Sequence, residues 1–172
     1  TEEQHKVVRL IATKAGFKVL RLINEPTAAV LAYHLGTRPS TVPCRYLVYR
    51  MGGSTTDVSV VTVLGGAYRL DAHVKRLDLG GKLITKELAD HCATEFQRQM
   101  RVDVRESRRG MAKLMNAAEI AKHVLSTLES AQCFAESVYE GFDLSVNVSR
   151  ARFESLLGPL ISRCKEPVEE IH

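Results

Sequence analysis

The strongest constraint on the fold of this chain is a set of three strand patterns between residues 46 and 74, which are separated by glycine-rich turns. Residues 46–50 and 57–64 are rich in β-branched and aromatic side chains, which favour strands. In residues 68–74, apolar and polar side chains alternate, which is typical of a strand with one solvent-exposed face. The turns contain Gly52-Gly53-Ser54-Thr55 and Gly65-Gly66. The sequence therefore predicts a strand meander here.

Helical patterns lie on both sides of the meander. Residues 7–15 carry an amphipathic pattern that predicts a helix ending at Gly16. Residues 17–23 predict a short buried strand. Pro26 suits the first turn of a second helix. After Gly80-Gly81, apolar residues recur every four positions from Ile84 to Met100. This spacing predicts a helix with one buried stripe.

A second stripe, with apolar residues three and four apart, predicts another helix over 111–128. Residues 131–138 and 142–148 predict a hairpin, and Ser149 can cap a final helix that Pro159 should kink or interrupt. Strand meanders combined with crossover helices predict the α/β class.

Composition excludes several classes of protein. The chain has 172 residues, of which 45% are hydrophobic and 26% charged, with a net charge of +4. This composition predicts a compact domain or two small lobes, and argues against long disordered tracts. The four cysteines lie far apart, so we expect buried reduced thiols in a cytosolic protein rather than a zinc or redox site. No apolar run is long enough to span a membrane, and because the chain starts without Met, we expect an excised fragment.

The first candidate site is the turn Gly52-Gly53-Ser54-Thr55. Its backbone N–H groups and hydroxyls could hold a phosphate. A plain hairpin turn is the simpler interpretation of these residues alone.

The second candidate site is one face of the helix after Met111. Glu119, Lys122, His123 and Ser126 share this face, and their side chains could contact the ribose and purine of a nucleoside. A solvated helix face explains the same spacing. Glu25, which precedes a helix, could cap that helix or hold a metal-bound water.

A basic patch offers a third interpretation. It contains Arg105, Arg108, Arg109 and Lys113, and it could meet RNA phosphates. No aromatic residues lie among them to stack on bases, which favours a solvated face.

Together these segments resemble the seventy-kilodalton heat-shock chaperone family, a branch of the actin-like, ribonuclease H-like ATPases. The matching segments are, in chain order, residues 19–29, Gly52-Gly53 with Thr55, 57–60, 79–81, Glu95-Phe96, Glu119 with Ala121-Lys122, 125–126, 139–141 and 150–154. The resemblance implies the second lobe of a nucleotide-binding domain. It implies subdomain IIA over 1–76, an inserted α+β subdomain IIB over 77–148, and a return helix to IIA over 149–172.

The resemblance also implies roles for the candidate residues. Positions 52, 53 and 55 correspond to residues that approach the terminal phosphate of ATP or ADP, with Ser54 between them. The position of Glu25 corresponds to a residue near magnesium and its waters, and Glu119, Lys122, His123 and Ser126 correspond to the adenosine site. No metal ligand and no catalytic residue is assigned within the chain.

Several residues depart from the family pattern. Arg50 stands where the family has an acidic residue before its phosphate loop, so the local charge changes by two units. A unit charge about 4 Å away is worth roughly 4 kcal/mol at an effective dielectric of about 20, so Arg50 should disfavour a nearby divalent cation. His123 replaces an arginine, and Lys82 and Leu83 replace acids. We therefore expect weakened magnesium binding and impaired hydrolysis of ATP.

Arg50 before the loop, the sequence Ala121-Lys122-His123 and the run over 149–154 together look most like the atypical branch that works with a zuotin-type J-domain protein on ribosomes. The resulting hypothesis is an ATP-binding co-chaperone or scaffold for folding nascent or unfolded polypeptides in the cytoplasm, with the polypeptide bound by a domain outside this sequence. One alternative is an active chaperone ATPase in which Asp57 substitutes for the missing acid. A second is a basic module that contacts RNA or the ribosome without sequence specificity.

Overall fold

The computed structural model describes residues 2–33, 35 and 40–171. Its elements in chain order are α1 (Glu2–Lys14), α2 (Glu25–Ala32), β1 (Cys44–Met51), β2 (Thr56–Leu64), β3 (Ala67–Arg76), α3 (Gly81–Met100), a 3-10 turn (Val104–Glu106), α4 (Arg108–Leu125), β4 (Ser130–Tyr139), β5 (Phe142–Ser149) and α5 (Arg150–Ile171). The first sheet has the strand order β1-β2-β3, and β4 pairs with β5 in a second sheet. The predicted meander, hairpin and α/β class are confirmed.

The chain divides into two compact units, and the first comprises Thr1–Tyr49 with Val58–His73. Its core is small. Val30 of α2 packs with Val61 and Val63 of β2, and Tyr46, Val48 and Tyr68 cover this cluster in part. The six side chains are enough to hold α2 on the sheet.

The predicted buried strand over residues 17–23 is wrong. Phe17 is 69% exposed and Leu20 82% exposed, and no regular structure forms there. A strand needs a neighbour for its backbone groups. Within the described part of the first unit no strand pairs with this segment, and the Arg9 guanidinium donates to the Val19 carbonyl at 3.2 Å.

The second unit comprises Arg50–Asp57 with Val74–His172, so it contains the turn between β1 and β2. Its main core joins α3, α4 and the β4–β5 hairpin. Most of each predicted stripe is buried there, as Leu88, Cys92 and Phe96 of α3 and Leu114, Ala118, Ala121 and Leu125 of α4. The ends of the stripes are wrong, because Met100 is 40% exposed and Leu128 is 57% exposed beyond the end of α4 at Leu125. Helix α4 is therefore fixed along its apolar face, and its opposite face can carry polar groups.

The β4–β5 hairpin closes in a two-residue turn. The strands are antiparallel with Tyr139 opposite Phe142, which leaves Glu140 and Gly141 in the turn. Both turn residues have positive φ, 45° and 87°. Positive φ at both positions is the geometry that matches strand twist in tight hairpins, so the predicted turn is confirmed.

Helix α5 runs through Pro159 without interruption, so of the predicted kink or interruption the interruption is wrong. Proline removes one helical hydrogen bond, which frees the carbonyl four residues earlier. That residue, Ser155, is exposed, so water can satisfy its carbonyl. The predicted cap is confirmed, because the Ser149 hydroxyl accepts from the Arg152 N–H at 3.2 Å.

The cysteines are free, and they differ in exposure. Cys92 and Cys133 are buried as expected, whereas Cys44 is exposed, which corrects the expectation of four buried thiols. Cys44 is the first residue of β1, where its neighbours in unit one leave it open to solvent. Among the described helices, none combines the length and apolarity needed to cross a membrane.

Candidate functional site

The turn over residues 52–55 is a hydrogen-bonded loop between β1 and β2. The Gly52 N–H donates to the Thr55 carbonyl at 2.8 Å, which closes the turn. Its far side is held by the start of α3, since the N–H groups of Gly81 and Lys82 donate to the carbonyls of Gly52 and Gly53 at 2.9 and 2.7 Å. Gly53 and Ser54 are exposed. The loop thus presents its tip to solvent on a fixed support.

Gly80 allows the loop and α3 to meet. A Cβ added at Gly80 would lie 2.8 Å from backbone atoms of both Gly53 and Ser54. Its backbone is extended, so space rather than conformation requires glycine here. Beside it, the buried Thr56 hydroxyl donates to the Leu79 carbonyl at 3.0 Å.

We expect Gly80→Ala to destabilise the second unit by about 1 to 3 kcal/mol, because the new methyl group must displace the loop backbone. Urea unfolding without nucleotide measures this change. The matched control is Gly53→Ala, whose added methyl would have no atom within 4 Å. Equal stability of the two variants would contradict the close-packing argument.

An ion-pair cluster lies at the base of the loop. On β2, the Asp57 carboxylate is bound by the Arg50 guanidinium of β1 at 2.6 Å. On its other oxygen, the Lys75 ammonium of β3 lies 3.8 Å away. The Asp57 side chain is only 11% exposed, whereas those of Arg50 and Lys75 are about half exposed. The central strand therefore places one buried acid between two cations.

This donor set does not fit a divalent cation. Metal-binding carboxylates must be free to ligate, but both Asp57 oxygens already face cations. In the described ranges, no group of three or more His, Cys, Asp or Glu residues could hold a metal ion. The expectation that Arg50 disfavours magnesium stays a prediction, and it depends on the pairing of Arg50 with Asp57.

The predicted face of α4 is a hydrogen-bonded network. Glu119 Oε2 accepts from Lys122 Nζ at 2.7 Å and from the Thr85 hydroxyl, and Glu119 Oε1 lies 3.1 Å from His123 Nε2. The Lys122 side chain is 18% exposed, whereas that of His123 is 73% exposed. The structure therefore brings together three of the four residues predicted for this face.

Ser126 is placed differently from the prediction. Helix α4 ends at Leu125, so Ser126 is its C-cap residue, and its hydroxyl donates to the His123 carbonyl at 2.6 Å. Thr85 belongs to the network, but sequence analysis missed it. Its partners lie 34 and 37 positions away on α4, and helical spacing carries no signal across two elements.

The network lowers the pKa of Glu119 to about 2, first through the Lys122 hydrogen bond and then through Thr85. Stability from the ionised carboxylate is present above the ordinary pKa of 4.5 and is lost as pH falls toward 2. We expect Lys122→Met to raise this pKa toward its ordinary value. A carbon-13 carboxyl titration by NMR measures the shift.

The control for this titration is Lys113→Met on the same helix. Lys113 Nζ donates to the carbonyls of Glu136 and Ser137, not to Glu119. This variant should leave the Glu119 titration as in the wild type. A Glu119 midpoint that does not move in Lys122→Met would refute the assigned cause.

Glu25 begins α2 in the first unit and supplies the acidic residue of its first turn. That position agrees with the predicted helix-dipole interaction. Its predicted role near magnesium-bound water stays a prediction.

The basic patch is partly used within the fold. The Arg105 guanidinium bonds to Asp103, to the Asp90 carbonyl and to the Thr94 hydroxyl. Lys113 caps two β4 carbonyls. Two of the four cations are therefore engaged, which weakens the RNA interpretation.

Comparison with known proteins identifies similar sequences along the whole chain. The family model described as "Hsp70 protein" matches residues 1–171. Over 170 residues and 99% of this chain, "Heat shock 70 kDa protein 14" is 46% identical in Xenopus tropicalis, 48% in Bos taurus and 45% in Danio rerio. The match covers 34%, 33% and 34% of those proteins respectively, so the chain spans about a third of their length.

Proposed function

The chain belongs to the Hsp70 family as an α/β part of its actin-like nucleotide-binding domain, and we propose that it binds ATP or ADP with impaired hydrolysis. The loop over residues 52–55 takes the phosphates. The face of α4 with Glu119, Lys122 and His123, together with Ser126 at its end, takes the adenosine. The family binds these nucleotides, generally with magnesium, whereas this site binds them with little need for it.

The observation that carries this proposal is the 2.6 Å ion pair between Arg50 and Asp57. Arg50 removes the acid expected at its own position and neutralises the nearby Asp57. The alternative of an active ATPase requires Asp57 as the substitute carboxylate. A carboxylate held by a guanidinium and faced by Lys75 is a poor replacement, because both of its oxygens are engaged.

Binding itself is compatible with this cluster. The guanidinium is nearly half exposed, so it can meet phosphate oxygens beside the loop. Arginine matches phosphate geometry through paired N–H donors and stays charged at all relevant pH values. Positive charge from the protein thus replaces part of the neutralisation that a metal ion supplies in other family members.

We propose that the protein acts in the cell as a co-chaperone or scaffold whose folded structure is stabilised by bound nucleotide. Hsp70 proteins generally work with J-domain co-chaperones and unfolded polypeptides. The specific partners proposed here are a zuotin-type J-domain protein, the ribosome and nascent chains in the cytoplasm. The resemblance at Arg50, at Ala121-Lys122-His123 and over 149–154 supports this assignment, and the polypeptide is bound by a domain outside the present sequence.

Nucleotide affinity with and without magnesium tests the proposal, using the full-length chain and its Arg50→Asp variant. We expect removal of magnesium to raise the wild-type Kd for ATP by less than about threefold. The Kd of the variant should rise by about tenfold or more. Arg108→Asp is the control, because it makes the same charge change at an exposed residue of α4. An equally strong magnesium requirement in wild type and Arg50→Asp would refute the role given to Arg50.

A further inference from the structure

One buried hydroxyl lies between the two halves of the candidate site. Thr85 of α3 is 3% exposed. Its Oγ1 accepts from Lys122 Nζ at 2.9 Å, and it contacts both Glu119 Oε2 and the Gly81 carbonyl, the latter at 3.1 Å. Lys122 Nζ also reaches the Gly81 carbonyl at 3.5 Å. Thr85 thus contacts the three other members of this cluster, which are Glu119, Lys122 and Gly81.

The direction of these hydrogen bonds follows from the groups involved. A threonine hydroxyl has one proton to donate and can accept as well, whereas an ammonium only donates. Thr85 therefore accepts from Lys122 and donates preferentially to the charged Glu119, since charge-assisted hydrogen bonds are the stronger ones. The hydroxyl orders the ammonium and the carboxylate together.

The cluster is connected to the phosphate loop through one residue. The Gly81 carbonyl accepts from Lys122 Nζ at 3.5 Å and lies 3.1 Å from Thr85 Oγ1, while the Gly81 N–H donates to the Gly52 carbonyl at 2.9 Å. A continuous set of hydrogen bonds therefore runs from the loop through Gly81 and Lys122 to Glu119 on α4, and Thr85 holds the Lys122 ammonium in this set. Among the described residues, no buried side-chain nitrogen or oxygen lacks a hydrogen-bond partner.

We infer that Thr85 is a positioning residue that couples the phosphate loop to the nucleoside face, so that a ligand with both parts binds more tightly than its separate parts predict. The inference rests on the proposed nucleotide binding and adds a residue and a mechanism to it. Without the hydroxyl, Lys122 and Glu119 lose the buried partner that they share, and the remaining groups can reorient. The loop and the α4 face would then each still exist, but their relative placement would be less fixed.

The test compares Thr85→Val, which keeps the side-chain shape, with Thr85→Ser, which keeps the hydroxyl. The Kd values for ATP, adenosine and tripolyphosphate are measured on the full-length chain by calorimetry. We expect Thr85→Val to weaken ATP about tenfold and each separate part less than about threefold, as for a lost hydrogen bond to charged groups. Thr85→Ser should restore the wild-type affinity for ATP.

Each other outcome overturns the inference. If Thr85→Val binds ATP like the wild type, Thr85 does not couple the two halves. If all three ligands weaken equally, or Thr85→Ser fails to rescue, the residue has only a general structural role. If the wild type binds none of the three ligands, the proposed function fails and the coupling fails with it, which separates this result from the first two.

Discussion

Arg50→Asp should cleave bound ATP about 10² to 10³ times faster than the wild type in a single turnover of the full-length chain with magnesium in the buffer. The expected size follows from the loss that one preorganised group causes in an electrostatic site. The substitution acts twice, because it supplies a carboxylate before the loop and releases Asp57 from its 2.6 Å ion pair. The rate is measured by quenching a single turnover of radiolabelled ATP.

Two controls separate these effects. Arg50→Gln releases Asp57 without adding an acid, so it should give a smaller gain than Arg50→Asp. Arg108→Asp makes the same charge change at an exposed residue at the start of α4, and it should cleave ATP as slowly as the wild type. Wild-type cleavage at an ordinary chaperone rate would mean that Arg50 is tolerated, and the active ATPase would replace the scaffold.

Local patterns predicted much of this fold because their causes are local. The alternation in residues 68–74 gave a strand of the meander, and the four-residue spacing through Leu88, Cys92 and Phe96 produced the buried stripe of α3. The Tyr139-Glu140-Gly141 turn was predictable because positive φ is needed at specific places in a tight hairpin. In each case, the residues that form the sequence pattern are also the residues whose contacts or backbone angles determine the local structure.

The errors occur where distant residues decide the outcome. Residues 17–23 have the composition of a strand, but the described part of the first unit offers them no pairing partner. Proline usually interrupts a helix, but at Pro159 only the hydrogen bond to the Ser155 carbonyl is lost, and Ser155 is exposed to water. Both results depend on surroundings that a single segment does not encode.

The candidate site shows the same division. Helical spacing correctly placed Glu119, Lys122 and His123 on one face, since all three belong to α4. The pairing of Arg50 with Asp57 joins two strands, and the contact of Thr85 with Lys122 joins two helices. The family resemblance identified Arg50 as a departure, but the consequence for Asp57 required the geometry.

The packing of α4 against the hairpin leads to the second large prediction, at Gly110. A Cβ added there would lie 2.0 Å from the Val138 carbonyl oxygen and 3.0 Å from the Ser107 hydroxyl. The Ser107 hydroxyl already accepts from the Gly110 N–H at 2.9 Å as the N-cap of α4. Because Val138 is buried and its contact atom is backbone, the strand cannot yield by a simple rotamer change.

Gly110→Ala should therefore destabilise the second unit by at least about 3 kcal/mol, measured as the free energy of urea unfolding. Helix propensity alone predicts the opposite sign, a gain of about 1 kcal/mol for alanine over glycine. Gly158→Ala in α5 is the comparison variant, since its added methyl would meet no atom within 4 Å beyond its chain neighbours and its own helix backbone. Gly158 precedes Pro159, whose ring disfavours a helical residue that carries a Cβ, so this variant should gain less than helix propensity alone predicts. A loss of at least about 3 kcal/mol at Gly110 alone would therefore be assigned to the contact with Val138. If Gly110→Ala is as stable as Gly158→Ala, then the hairpin does not hold α4 this closely, and the placement of Glu119 and Lys122 must depend on α3 instead.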